Sequence, residues 1–196
     1  TSGANVIVKD GGKILGPGYF FQCYNTADFT IEKGGYVELG GLDIQKSFIG
    51  EGTLICQGDF SLDNSTTSAE FINDFNFTAS LTPTSNGKII LTRSFTRTGW
   101  QHIGWPVQSA STKTINDLTL AGITFDFSGP ASGNIYNWDA ATSGWVVPSP
   151  TTTIANKAFN LYVQAGSSIS LEIPYNSSNE NEVEVFKLDE QTNEKC

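Results

Sequence analysis

A chain of 196 residues with 38% hydrophobic and 12% aromatic side chains can bury a sizeable core, in one large domain or two small ones. Twenty acidic residues outweigh eleven basic ones, and a net charge of -9 with no basic stripe argues against nucleic acid or an anionic membrane surface as a partner. No run approaches the roughly 18 apolar residues of a helical membrane span.

Thr, Ser and Asn supply most of the polarity, which suits the solvent faces of strands and the turns between them. Methionine is absent, so residue 1 follows a processing step or a cut in a longer chain. The start Thr1-Ser2-Gly3-Ala4 suits a freshly processed end, and export is expected. Of the three cysteines, Cys23 and Cys56 are a candidate disulfide that would add about 3–4 kcal/mol by restricting the unfolded chain. Two buried free thiols are the equal alternative. Cys196 is placed for pairing between chains or as an attachment handle.

In chain order, the first elements form an imperfect repeat. Val6-Ile7-Val8-Lys9-Asp10-Gly11-Gly12-Lys13-Ile14-Leu15-Gly16 recurs, 23 residues on, as Phe29-Thr30-Ile31-Glu32-Lys33-Gly34-Gly35-Tyr36-Val37-Glu38-Leu39-Gly40. A looser third copy runs from Phe48 to Gly58. Short strands and paired glycines at this period predict coils of a β-solenoid over residues 1–68, each burying its apolar face on the next. A β-meander with glycine turns is the rival.

From Glu70 the texture changes. Phe71 to Leu81 alternates apolar and polar residues, Ser85-Asn86-Gly87 marks a hairpin turn, and Lys88 to Phe95 reads as the return strand. Thr114 to Leu118 suits a single helical turn. Further strands are predicted at Gly122–Phe127, Asn134–Trp138, Trp145–Val147, Ala158–Gln164, Ser168–Ile173 and Val183–Leu188. Their short, even spacing predicts an antiparallel β-sandwich or jelly roll over residues 69–196, making the whole chain all-β.

The run Gly87-Lys88-Ile89-Ile90-Leu91-Thr92-Arg93-Ser94-Phe95, then Gly99-Trp100-Gln101-His102-Ile103-Gly104-Trp105-Pro106-Val107, then Thr114-Ile115-Asn116-Asp117-Leu118 resembles a segment of large secreted and surface proteins of Bacteroidetes bacteria. Its sequel matches too, with Asn134-Ile135-Tyr136-Asn137-Trp138-Asp139, Gly144-Trp145 and Ile154 through Val163. The resemblance implies export, commonly by type IX secretion, and a stalk or adhesin architecture. It implies no activity, since the pattern connects very different proteins. The chain departs from many of them in showing no sorting domain after Leu188, as though that domain were cleaved or the anchoring differed.

Catalytic chemistry finds little support. The single histidine, His102, lacks a nucleophile elbow or any other local signature of a triad. One histidine and scattered cysteines make no zinc tetrahedron. Asp59, Asp63 and Asp74 sit near the proposed joint between the two regions, but no Asp-x-Asp-x-Asp calcium loop occurs. No carboxylate pair stands out for glycoside hydrolysis. The sequons at Asn64, Asn76 and Asn176 are read as accidental in so Asn-, Ser- and Thr-rich a chain.

Trp100, Trp105, Trp138 and Trp145 are candidates for a platform that stacks on sugar rings, although packing within the domain is the favoured role for them. Trp138 and Trp145 flank a hairpin and are placed to pack across it. The expectation is therefore a non-catalytic structural or adhesive module of a secreted or cell-surface bacterial protein, with no cofactor and no metal. Its partners would be other copies of itself, other surface proteins or a polysaccharide. Two alternatives are a self-assembling filament subunit and a carbohydrate-binding module. In the filament, Val183, Val185, Phe186 and Leu188 would form a strand donated to a neighbour.

Overall fold

The computed structural model describes residues 5–24, 27–62, 67–73, 75–81, 87–105, 111–129 and 132–174. They are nearly all β, with one single-turn 3-10 helix and no α-helix among them. None of their helices is long and apolar enough to cross a membrane. Two compact units divide the chain, one reaching to Ile89 and the other running from Ile90 to Ile173.

The first unit holds β1 (Val6–Val8), β2 (Lys13–Cys23), β3 (Asp28–Ile31), β4 (Tyr36–Ile44), β5 (Ser47–Gly50), β6 (Thr53–Leu62), β7 (Ser68–Ile72) and β8 (Asn76–Leu81). They alternate between two parallel sheets, one in the order β1-β3-β5-β7 and the other β2-β4-β6-β8. This is the expected solenoid. The register follows the sequence repeat: Val6 pairs with Phe29 and Phe29 with Phe48, while Lys13 pairs with Tyr36 and Tyr36 with Thr53.

The repeated glycines form the corners. Gly34 takes a φ of 82°, a left-handed conformation that costs a side chain dearly. Its neighbour Gly35 and the later Gly52 answer to space instead. A Cβ on Gly52 would lie 2.4 Å from the Gly35 carbonyl oxygen, so the corners stack only without side chains. Each corner is tied to the next by a backbone bond, Tyr36 N–H to Gly12 and Thr53 N–H to Gly35, at 3.0 and 2.9 Å.

Inside the stack, side chains form ladders. Phe29 and Phe48 stack at 5.9 Å between centroids, and Phe48 meets Phe60 edge-on at 5.5 Å. Val37 and Leu54 make a second buried row, and Cys23, Ile44 and Leu62 a third. A polar row runs alongside, with Asp43 buried, Ser61 half-buried and Gln22 exposed. The Asp43 carboxylate accepts from Gln22 Nε2 at 2.9 Å and from Ser61 Oγ at 2.8 Å, its in-register neighbours on both sides. With Gln45 Nε2 donating at 3.5 Å as well, three donors satisfy the charge where burial would otherwise penalise it.

Two expectations shift here. The parallel stacking does not stop at residue 68, because β7 pairs with β5 and β8 with β6. The hairpin expected between the 71–81 strand and its return partner is also replaced. β8 joins one sheet, while the next strand, β9 (Lys88–Ser94), starts beside β7 in the other, its Lys88 N–H donating to Thr67 at 2.9 Å. An alternating pattern signals a strand with one buried face, and it serves a solenoid coil as well as a hairpin.

Strand β9 continues into the second unit. That unit adds β10 (Gly99–Ile103), β11 (Leu118–Ala121), β12 (Ile135–Asp139), β13 (Gly144–Val146), β14 (Phe159–Val163) and β15 (Ser168–Pro174). One antiparallel sheet has the order β10-β14-β12-β13, and β15 lies between β9 and β11 in the other. Leu118 from the second of these and Ile103, Ile135 and Leu161 from the first line one apolar space, as in a sandwich. The expected turn after Thr114 is the 3-10 helix Ile115–Asp117, whose Asp117 carboxylate accepts from Thr114 N–H and Oγ1. Those bonds hold the Asp117 carboxyl below its usual range.

Residues 122–127 were expected as a strand and are irregular instead. Gly122 turns the chain at a φ of 70°. The Asn134 side chain then takes the backbone bonds a sheet neighbour would have made. It accepts from Asp126 N–H and donates to the Thr124 carbonyl, both at 2.7 Å.

Candidate functional site

Alternation along β14 buries Phe159, Leu161 and Val163 and turns Asn160 and Tyr162 outward. The register brings matching residues beside them. Trp100 of β10 lies opposite Tyr162, and Asn160 lies between His102 and Tyr136. Farther along, Trp138 of β12 pairs with Trp145 of β13.

The outer face of this sheet is therefore a field of rings. Trp100 lies 5.5 Å from Tyr162 and 5.6 Å from Tyr136 between centroids. His102 lies 5.4 Å from Trp145, which meets Trp138 edge-on at 5.6 Å. These rings stay open to solvent despite touching one another: Trp100 is 47% exposed, Trp138 44%, Trp145 38% and Tyr162 38%. Measured along β14 from residue 158 to 164, the face is about 20 Å long.

At the Tyr162 end the face dips into a cleft of about 420 Å³, lined by Gly122, Ile123, Thr124, Asn134, Tyr162 and Gln164. Asn134 pins its far wall through the two bonds to residues 124 and 126. Tyr136 is steadied by its hydroxyl, 3.3 Å from the carbonyl oxygens of Gly129 and Gly133. Between His102 and Tyr136 the Asn160 Oδ1 is enclosed, with no hydrogen-bond partner among the described residues.

Three of the four tryptophans singled out in the sequence, Trp100, Trp138 and Trp145, thus share one face. Trp105 does not. It is 6% exposed and packs with Ile115, Phe125 and Phe159 in the sandwich core. The alternation that carries Trp100 outward ends at Ile103, where β10 stops. His102 belongs to the aromatic face, with Trp145 against its ring.

Cys23 and Cys56 are both buried free thiols. Cys23 stands opposite Ile44 and Cys56 opposite Leu39, so they sit two strands apart and five positions out of register along β4. Two strand spacings alone are about 9.6 Å, beyond the Cα separation a disulfide spans. Burial pushes the Cys56 thiol up to about 12, which keeps it protonated and unreactive near neutral pH. Asp59 is exposed on β6, whereas Asp63, Asp74, Cys196 and the strand Val183–Leu188 lie outside the described residues. Among the described residues no three of His, Cys, Asp and Glu gather as metal ligands would.

Sequence reasoning missed Tyr162 and Tyr136. The signal was present in the alternation of Ala158–Gln164, which sets Asn160, Tyr162 and Gln164 on one side. Only the register shows that this side faces Trp100. Compared with known proteins, the chain matches no family model, no curated protein and no solved structure.

Proposed function

We propose that this chain is a non-catalytic adhesive module of a secreted or cell-surface bacterial protein, and that it binds polysaccharide through the aromatic face. One observation carries the reading: Trp100, Trp138, Trp145 and Tyr162 are exposed together on a single rigid sheet. Solvent-exposed rings in such number are uncommon on a surface that binds nothing. Sugar rings present apolar C–H faces that stack on aromatic π-systems, while their hydroxyls stay solvated. Export and the bacterial source rest on the sequence resemblance and the Thr-, Ser- and Asn-rich composition.

The test is affinity electrophoresis of the full chain in gels containing a neutral polysaccharide such as mannan, xylan or a soluble β-glucan. At least one should retard it. Each of Trp100→Ala, Trp138→Ala and Trp145→Ala is expected to weaken retardation by roughly 2- to 12-fold, the factor matching 0.5–1.5 kcal/mol per stacked ring. Unchanged retardation in the triple variant would defeat the reading.

A second reading, assembly with other copies, is favoured by a separate observation. Strand β2 ends its sheet among the described strands, and it carries Leu15, Tyr19 and Phe20, each at least 64% exposed, with the equally exposed Tyr24 just past its end. An unprotected apolar edge recruits further strands. Light scattering after size exclusion should then show oligomers that the paired change Leu15→Lys and Tyr19→Lys disperses. A monomer at all concentrations would remove this reading.

A further inference from the structure

We propose that the cleft beside Tyr162 is a subsite for one uncharged sugar unit of a neutral polysaccharide, whose neighbouring units lie over Tyr162 and Trp100. The inference rests on the reading of the aromatic face as a glycan platform and gives that platform a direction and a chemical preference.

The lining sets the chemistry. Tyr162 supplies a ring for the apolar face of a pyranose, and Ile123 adds apolar contact. Thr124 brings a hydroxyl and Gln164 a carboxamide, groups that suit the mixed donors and acceptors of sugar hydroxyls. Gly122 lines it with backbone alone, at a φ of 70°. Asn134 is occupied at both ends of its amide and holds the wall instead of meeting the ligand.

Charge decides between sugar classes. Among the described residues the lining includes no Lys, Arg, Asp or Glu, so a uronic acid would find no cation there to replace its lost hydration. A net charge of -9 opposes an anionic polymer further. An extended peptide is disfavoured for another reason. To add as a strand it needs a sheet edge, whereas this cleft opens beside the face of the central strands β14 and β12. At about 420 Å³ the space falls within the range of small-ligand sites. Continuity supplies the path outward, because the Tyr162 ring that walls the cleft lies 5.5 Å from Trp100 on the platform.

The experiment is isothermal titration of the full chain with cellohexaose, mannohexaose and xylohexaose, alongside hexagalacturonate. At least one neutral hexasaccharide should bind, and hexagalacturonate at least tenfold more weakly. The double variant Thr124→Val and Gln164→Ala should weaken the neutral ligand about 5- to 160-fold, as expected for two lost neutral hydrogen bonds, with its melting temperature unchanged. Trp100→Ala serves as the platform control. If Trp100→Ala weakens binding and the double variant does not, the cleft is overturned while the platform stands. If no neutral hexasaccharide binds, both fall. Binding of hexagalacturonate as tight as that of the neutral sugars would overturn the preference for an uncharged unit.

Discussion

Phe48→Ala is expected to destabilise the first unit by about 3–5 kcal/mol, the usual cost of truncating a buried phenylalanine. Phe48 is fully buried in the middle of the stack. Its ring lies 5.9 Å from Phe29, 5.5 Å from Phe60, 5.9 Å from Phe71 and 5.7 Å from Phe75. The local backbone is already built around those rings: a Cβ added at Gly50 would lie 2.5 Å from the Phe75 ring, so that position must stay bare. Losing Phe48 leaves a void that neighbouring coils cannot close, because both sheets are held in parallel register above and below it. Since a coil has little stability of its own, the loss should spread along the stack. Against a typical total of 5–15 kcal/mol, a fall of this size brings the unit close to unfolding. Thermal melting followed by near-ultraviolet circular dichroism should show a drop of well over 10 °C, at roughly 4–8 °C per kcal/mol for a unit of this size. Tyr24→Ala, at a 64% exposed position, should move it by little. A Phe48→Ala melt superimposable on the parent would disprove the phenylalanine stack.

How much of this was legible in the sequence differs between the two units. The first three coils were, because the chemistry repeats: Val6, Phe29 and Phe48 occupy equivalent rungs, and Gly12, Gly35 and Gly52 equivalent corners. The fourth coil was not. Its β7 and β8 lack the paired glycines, and the turn signal at Ser85-Asn86-Gly87 resembles that of a hairpin. In the second unit, alternation identified β12, β13, β14 and β15 within a residue or two. It failed over residues 122–127, where the alternating Ile123, Phe125 and Phe127 mimic a strand although the backbone there is held by a single residue, Asn134. The binding face was half visible. Tryptophans stand out by rarity, but which of them share a surface depends on cross-strand register. Register joined Tyr162 to Trp100 and left Trp105 inside.

That division among the tryptophans has a direct consequence. Trp105→Ala is expected to cost about 3–5 kcal/mol, while alanine at Trp100, Trp138 or Trp145 should cost far less and act on binding instead. Trp105 is 6% exposed among Ile103, Ile115, Leu118, Phe125, Ile135, Phe159 and Leu161, residues drawn from both sheets of the second unit. Its removal opens a cavity at the point where the sheets meet. Trp105→Phe should behave quite differently. The indole Nε1 is buried with no hydrogen-bond partner among the described residues, and an unsatisfied buried donor costs about 1–3 kcal/mol. Phenylalanine surrenders some packing volume but removes that donor, so the two effects largely offset and the net change should stay within about 1–2 kcal/mol. Urea titration of the three proteins measures this directly, with fluorescence from the remaining tryptophans as the probe. Iodide quenching supplies a separate check: the parent should retain one shielded tryptophan that Trp105→Phe lacks. A Trp105→Phe variant as unstable as Trp105→Ala would mean that the indole nitrogen holds a bond the packing does not reveal. A Trp105→Ala variant as stable as the parent would return Trp105 to the surface, and with it the idea of a platform of four tryptophans instead of three.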